Sequence, residues 1–154
     1  MPELPETETI ARDLNRLVRG AVIESVAVPR MDVLRGISAR TLASRLPEST
    51  IDRCWRRAKL VVVDLSTGDR LVVQPRFTGA LLVGDRADAT GDADYTAVEL
   101  RLRDGRSLRY RDVRRLGTVS LMNPARFAAY SGALGIEPLD LAFTPSHLDR
   151  KSVV

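Results

Sequence analysis

The chain is predicted to fold as an α+β domain, mainly β: a β-sandwich flanked by an N-terminal helix and a second, short helix. Three observations predict it. Short runs rich in valine and leucine recur between Val22 and Met122, separated by turn signals such as Ser66-Thr67-Gly68-Asp69 and Asp104-Gly105. A single long helical periodicity precedes them. The 154 residues, 44% of them hydrophobic, suffice for one good core with a small appendage.

The elements follow in order. Residues 3–19 read as an amphipathic helix, with Ile10, Leu14, Leu17 and Val18 on one face, Arg12, Asp13, Asn15 and Arg16 mostly opposite, and Gly20 as the stop. Residues 21–29 read as a strand through Val22, Val26 and Val28. Residues 38–46 read as a short helix that Ser38 caps, with Leu42 and Leu46 toward the core. Residues 51–59 lead as a strand into the apolar run 60–65, and 70–74 returns as its hairpin partner. Strands are expected at 78–83, 96–102, 107–112 and 118–122, an acidic solvated loop at 84–94, and a short helix at 124–131. Cys54 and Trp55 are expected in or near the core.

Composition excludes several classes. No apolar run approaches the roughly 20 residues a membrane-spanning helix needs. Acids stand at the N-terminus where a secretory signal has basic residues, so a cytoplasmic protein is expected. A single cysteine, Cys54, rules out a disulfide framework and any multi-cysteine metal site. Lys59 and Lys151 are the only lysines among 24 basic residues. Arginine suits bidentate phosphate contacts, although a GC-rich genome produces the same bias.

Chemistry concentrates at the start, Met1-Pro2-Glu3-Leu4-Pro5-Glu6. Removal of Met1 exposes a prolyl secondary amine. A terminal amine titrates far below lysine, near pH 8, so a useful fraction is nucleophilic at neutral pH. Attack on a sugar C1′ by such an amine yields an iminium, an electron sink for breaking neighbouring bonds. Glu3 is placed to exchange protons with sugar and leaving group, and Glu6, one turn on, to orient either partner. The plainer alternative is a helix opening, with proline in the first turn and carboxylates at the positive end of the dipole.

Met-Pro-Glu-Leu-Pro-Glu-x-Glu-Thr resembles the opening of the formamidopyrimidine-DNA glycosylase family, bacterial repair enzymes that remove oxidised purines. Leu4, where the endonuclease VIII branch has glycine, points to the formamidopyrimidine branch. Thr7 stands where the family commonly has valine. The resemblance covers about residues 1–140 and implies a bifunctional glycosylase/AP lyase with Pro2 as nucleophile and Glu3 as general acid/base. It implies that Lys59, at the end of the basic run from Arg53, contacts DNA phosphate and supports catalysis. A solvated basic strand end is the alternative for Lys59.

Two further segments carry the resemblance. Gln74-Pro75-Arg76-Phe77-Thr78-Gly79 is similar to the loop that wedges into a duplex after a nucleotide is turned out, with Arg76 beside Phe77 in the methionine's place. Gln74-Pro75 replaces the family's His-Leu. Residues 110–117 resemble the family's Asp-Pro-Arg-Arg-Phe-Gly loop. There Arg114 is implied to reach the orphaned base, Arg115 to contact DNA and Leu116 to supply a second wedge, with Val113 and Leu116 in place of proline and phenylalanine. Seven arginines against two aspartates between Arg101 and Arg115 form a basic stripe that suits phosphate tracking; the solvated face of a strand is the alternative.

Residues 1–133 are expected to be the catalytic domain and 134–154 a linker with the start of a helical domain, containing the lone His147. A helix starting so close to residue 154 leads us to expect an N-terminal fragment or truncated product, weakly active alone. The helix–two-turn–helix element and the four-cysteine zinc finger that the resemblance implies are expected beyond the chain, so no cofactor and no metal are expected within it. The expected partner is double-stranded damaged DNA, bound by a nucleoid-associated bacterial monomer with no membrane contact. The alternative is a non-catalytic DNA-lesion-binding or protein-interaction module on the same fold.

Overall fold

The computed structural model describes residues 4–76, 79–85 and 95–134. The expectations for 1–3, the wedge position 77, the acidic segment 86–94 and the linker and helix start at 135–154 lie outside the described residues. The elements run α1 Leu4–Val18, β1 Ile23–Ala27, a 3-10 turn Met31–Val33, α2 Ala39–Arg45, β2 Ile51–Arg57, β3 Leu60–Leu65, β4 Arg70–Gln74, β5 Gly79–Asp85, β6 Thr96–Leu102, β7 Arg106–Asp112, β8 Thr118–Met122 and α3 Pro124–Gly132. The mainly-β, helix-flanked sandwich is the observed architecture. Its two sheets have strand orders β1-β6-β7-β5 and β2-β3-β4-β8, with antiparallel pairing throughout.

The main core lies between the sheets. Val61, Val63, Leu71 and Val73 from one sheet meet Val98, Leu100, Leu108 and Tyr110 from the other, joined by Leu42 of α2. Each fully buried valine or leucine contributes roughly 1.5–3 kcal/mol. A second, smaller cluster lies on the outer side of β3 and β4. There Leu60, Val62, Val72 and Met122 are covered by Phe127 of α3, with Trp55 at its edge. With both faces covered, β3 reads as a continuous apolar run over Leu60–Val63 rather than an alternation.

Helix α1 packs against β2 and β3. Its buried side chains are Thr7, Ala11, Leu14 and Val18, the i, i+4, i+7, i+11 spacing of one face. Leu17, expected on that face, is instead 39% exposed. Gly20 ends the helix with φ +87° and donates to Ile51 O at 2.7 Å. Asn15 Oδ1 accepts from Cys54 N at 2.9 Å, a second tie to β2. Ser38 and Asn123 cap α2 and α3 through their side-chain oxygens. No helix among the described residues is long and apolar enough to cross a membrane.

Strand register decides which segments meet. Arg57 pairs with Leu60, Val61 with Val73 and Gln74 with Thr118, so the β2–β3 turn, the end of β4 and the start of β8 share one end of their sheet. Gly79 pairs with Asp112, so the β4–β5 and β7–β8 connections both pass from one sheet to the other at that same end. The β3–β4 and β6–β7 hairpin turns lie at the opposite end.

Candidate active site

The start of α1 and the β2–β3 turn are held together by a buried arginine. Arg56, with 7% of its side chain exposed, donates from Nε to Glu8 Oε1 at 3.0 Å and from Nη1 to Ala58 O at 3.1 Å. Glu8 also accepts from Arg12 Nε at 2.9 Å. Burial pushes the Glu8 carboxyl up, but hydrogen bonds from Arg56 and Arg12 outweigh it and hold the group below its ordinary range. Strand β2 stops at Arg57, short of the expected Lys59, because Ala58 and Lys59 form the two-residue turn to β3, with Ala58 at φ +53°. Lys59 is half-buried on that turn, and Glu6 is exposed in the first turn of α1. The structure therefore brings Lys59 and the helix bearing Glu6 to one locality. Pro2 and Glu3 precede that helix and lie outside the described residues.

The basic run before Lys59 is largely structural. Arg53 donates to Asp64 Oδ2 at 2.8 Å and lies 4.8 Å from the Trp55 ring centroid. Arg57 reaches α3, donating to Ser131 Oγ at 2.8 Å and Ser131 O at 3.0 Å. Trp55 Nε1 donates to Asp64 Oδ1 at 2.9 Å.

The two loops expected from the sequence to enter a duplex lead off from the same end of the sandwich. Pro75 is buried and Arg76 exposed, while Phe77 lies outside the described residues. On the other loop Val113, Arg114, Arg115 and Leu116 are all exposed, with Leu116 at 45%. An exposed leucine costs the folded chain nothing to keep and offers apolar surface to a ligand. Arg115 adopts φ +54° and places Nε 3.4 Å from Asp32 Oδ2, so its guanidinium also faces the 3-10 turn. Beneath these residues Asp112 is fully buried. It accepts from Arg115 N at 3.0 Å, Gly117 N at 2.9 Å and Tyr110 Oη at 2.7 Å. Burial, then this bond to a carboxylate, raises the Tyr110 phenol well above its ordinary range.

Most of the basic stripe is engaged within the chain. Arg101 pairs with Glu99 at 3.2 Å, Arg103 with Glu48, and Arg106 with Asp104 at 2.8 Å while donating to Leu17 O. Arg111 lies 5.3 Å from the Tyr95 ring centroid and Arg109 is buried. Arg101, Arg103 and Arg106 thus act first as partners for neighbouring carboxylates. The exposed pairs are individually weak, and Arg103 and Arg106 stand at the β6–β7 turn, the end opposite the Lys59 turn.

Sequence reasoning passed over Glu8, Arg56, Tyr110 and Asp112. Glu8 lies in the opening motif and Arg56 in the basic run from Arg53, but no local pattern joins residues 48 apart.

Residues 1–119 match the profile described as the formamidopyrimidine-DNA glycosylase N-terminal domain. The chain belongs to the formamidopyrimidine-DNA glycosylase family. It is 38% identical over 153 residues to the formamidopyrimidine-DNA glycosylase of Brevibacillus brevis, covering 97% of this chain and 54% of that protein. With the enzyme of Desulforamulus reducens identity is 35% over 154 residues, covering 98% and 55%. The chain spans about half the length of the curated relatives it matches. Among solved structures it is similar to the Lactococcus lactis Fpg in complex with abasic-site-containing DNA. There the TM-score is 0.77 at 26% identity, with 84% of this chain and 47% of that one covered. The same enzyme with FAPY-dG-containing DNA gives 0.77 and 26%, covering 83% and 47%.

The family's zinc does not fit this chain. Its only cysteine, Cys54, is buried, and its thiol is pushed up to about 12 by burial and then by the Asp64 charge. Among the described residues no group of three His, Cys, Asp or Glu side chains stands together as a metal site.

Proposed function

We propose that the chain carries the nucleophile and the duplex-entering loops of a DNA glycosylase/AP lyase that removes oxidised purines. The observation that carries this reading is the gathering, at one end of the sandwich, of the start of α1, the Lys59 turn and both sheet-crossing loops. A nucleotide turned out of a duplex leaves a gap that Phe77 and Leu116 fill, while Arg114 reaches the orphaned base and Arg76 and Arg115 meet the strand. With Met1 removed, the Pro2 nitrogen forms a bond to C1′ as the glycosidic bond breaks. That bond's electron pair leaves with the base, which takes a proton, and Glu3 mediates proton transfer to the opening sugar ring. The nitrogen loses its proton, the C1′–O4′ bond breaks with its electron pair going to the protonated O4′, and the nitrogen lone pair forms the iminium. A C2′ proton is then lost to solvent as the 3′ phosphate leaves by β-elimination, and loss of the C4′ proton expels the 5′ phosphate by δ-elimination. Lys59 holds a phosphate and, as a nearby cation, lowers the amine's proton affinity. Glu6 orients the amine.

The steps use only side chains and the terminal amine of the chain itself, without a cofactor. The reading places the protein in the bacterial cytoplasm at the nucleoid, as a monomer on double-stranded damaged DNA. Borohydride trapping on an abasic-site duplex tests the assignment. A covalent adduct that Pro2→Gly abolishes is expected. No adduct from protein whose mass shows Met1 removed overturns the lyase reading, and a retained Met1 favours a non-catalytic lesion-binding module.

A further inference from the structure

The two sheet-crossing loops are not independent: one buried hydroxyl and one buried carboxylate lie between them. Tyr110 Oη donates to Asp112 Oδ2 at 2.7 Å, and the carboxylate gathers the Arg115 and Gly117 amides of the β7–β8 loop. A Cβ added at Gly117 would overlap that same hydroxyl and come within 2.6 Å of Gln74 O on the β4–β5 side. A Cβ added at Gly79, where β5 begins, would lie 2.7 Å from the hydroxyl and 3.0 Å from Pro75 Cα. Glycine stands at both positions because backbone from each loop closes on the Tyr110 oxygen, with no room for a methyl group. Arg115 holds a left-handed conformation at φ +54°, which the hydrogen bond its backbone N–H donates to Asp112 Oδ1 supports against the usual cost for a side-chain-bearing residue.

We propose that Tyr110 and Asp112 are positioning residues forming one joint that fixes the β4–β5 and β7–β8 loops relative to each other. This rests on the reading of those loops as the parts that enter DNA. Arg76 sits on one side of the joint, and Arg114 and Leu116 on the other. Groups that must engage one stretch of duplex together gain from being held in place beforehand, because their ordering is not charged against binding. Neither Tyr110 nor Asp112 touches DNA in this scheme, and both are buried in the free protein.

The test has two parts, on the 154-residue chain. In DNA-free protein, hydrogen exchange is followed at the Gly79, Arg115 and Gly117 amides in Tyr110→Phe and Asp112→Asn. Loss of one buried bond is expected to speed exchange about tenfold on both loops in each variant, with the β6–β7 turn unchanged. Unchanged exchange at Gly79 in Tyr110→Phe, the milder variant, overturns the joint. The second part measures affinity for an abasic-site duplex with each of the four bases opposite. Weaker binding and a flattened opposite-base preference are expected, with the rate of borohydride adduct formation at saturating DNA kept. Loosened loops with affinity and preference intact overturn the positioning role. Failure of the parent chain to form any adduct strikes the lyase reading, and the exchange and affinity results still judge the joint.

Discussion

The two ends of the sandwich are built by different rules. At the hairpin end each turn is closed first by its own neighbours, with side-chain ties from Arg45 to Asp69, Arg103 to Glu48 and Arg106 to Leu17 O laid over that local closure. Gly68 and Gly105 supply φ of +93° and +92°, and an added Cβ at either meets open space. Gly68 N donates to Leu65 O, and Arg106 N to Asp104 Oδ1, two residues away. At the other end the ties are long-range: Glu8 to Arg56, Arg57 to Ser131 of α3, and Tyr110 wedged between two connections that change sheet. A hairpin within one sheet needs only turn chemistry. A connection between sheets has no ladder to lean on, so buried side chains must hold it. The end that needed such side chains carries Arg76, Arg114, Arg115 and Leu116 exposed on its two sheet-crossing loops.

The largest effect expected from breaking this contrast is at Gly117. Gly117→Ala collides with backbone and hydroxyl and should destabilise by about 3 kcal/mol or more in denaturant titration, as overpacked and strained sites do. A loss below that of Gly105→Ala would show that the two ends do not differ. Next is Arg56→Ala, which leaves Glu8 without its buried partner and should cost about 2 kcal/mol. It should also cut the trapping yield by loosening the Lys59 turn, whereas Arg103→Ala at the exposed pair with Glu48 should leave both unchanged. Gly105→Ala should cost about 1 kcal/mol, the strain of a left-handed residue in open space, and no DNA affinity. Leu116→Ala should stay within about 0.5 kcal/mol in stability yet weaken DNA binding, separating presentation from folding.

The smallest effect is electrostatic. Glu8 is depressed in the folded state, so its contribution is present above the ordinary glutamate range and is lost as pH falls through the folded value. Glu8→Gln should therefore melt a little below the parent at pH 7, with the gap closing toward pH 3. A gap that stays constant with pH would mean that the side chain acts by shape rather than by charge.

Much of the hairpin end was legible in the sequence because its information is local. Asp104-Gly105 predicts its turn, Ser38 its cap, and the apolar runs their strands. At the opposite end the motifs pick out segments that the fold gathers at one edge, but not what holds them there. Leu17 shared a helical face with Leu14 on periodicity, yet the sheet reaches Ala11, Leu14 and Val18 and leaves Leu17 exposed. Arg53, Arg56 and Arg57 read as one basic run. The pleat of β2 sends them to Asp64, Glu8 and Ser131 respectively. Charge on a strand can be counted from sequence, whereas its partners depend on which elements the register brings alongside.

By itself the sequence determined the fold class, the position of nearly every strand and helix, and the family, because periodicity, turn residues and the opening motif are properties of short stretches. Only the tertiary structure decided that Arg56 joins α1 to the Lys59 turn and that Tyr110 and Asp112 join two loops. Those contacts exist because two sheets stack face to face and chain segments far apart in sequence end at the same edge. No window of neighbouring residues contains that proximity.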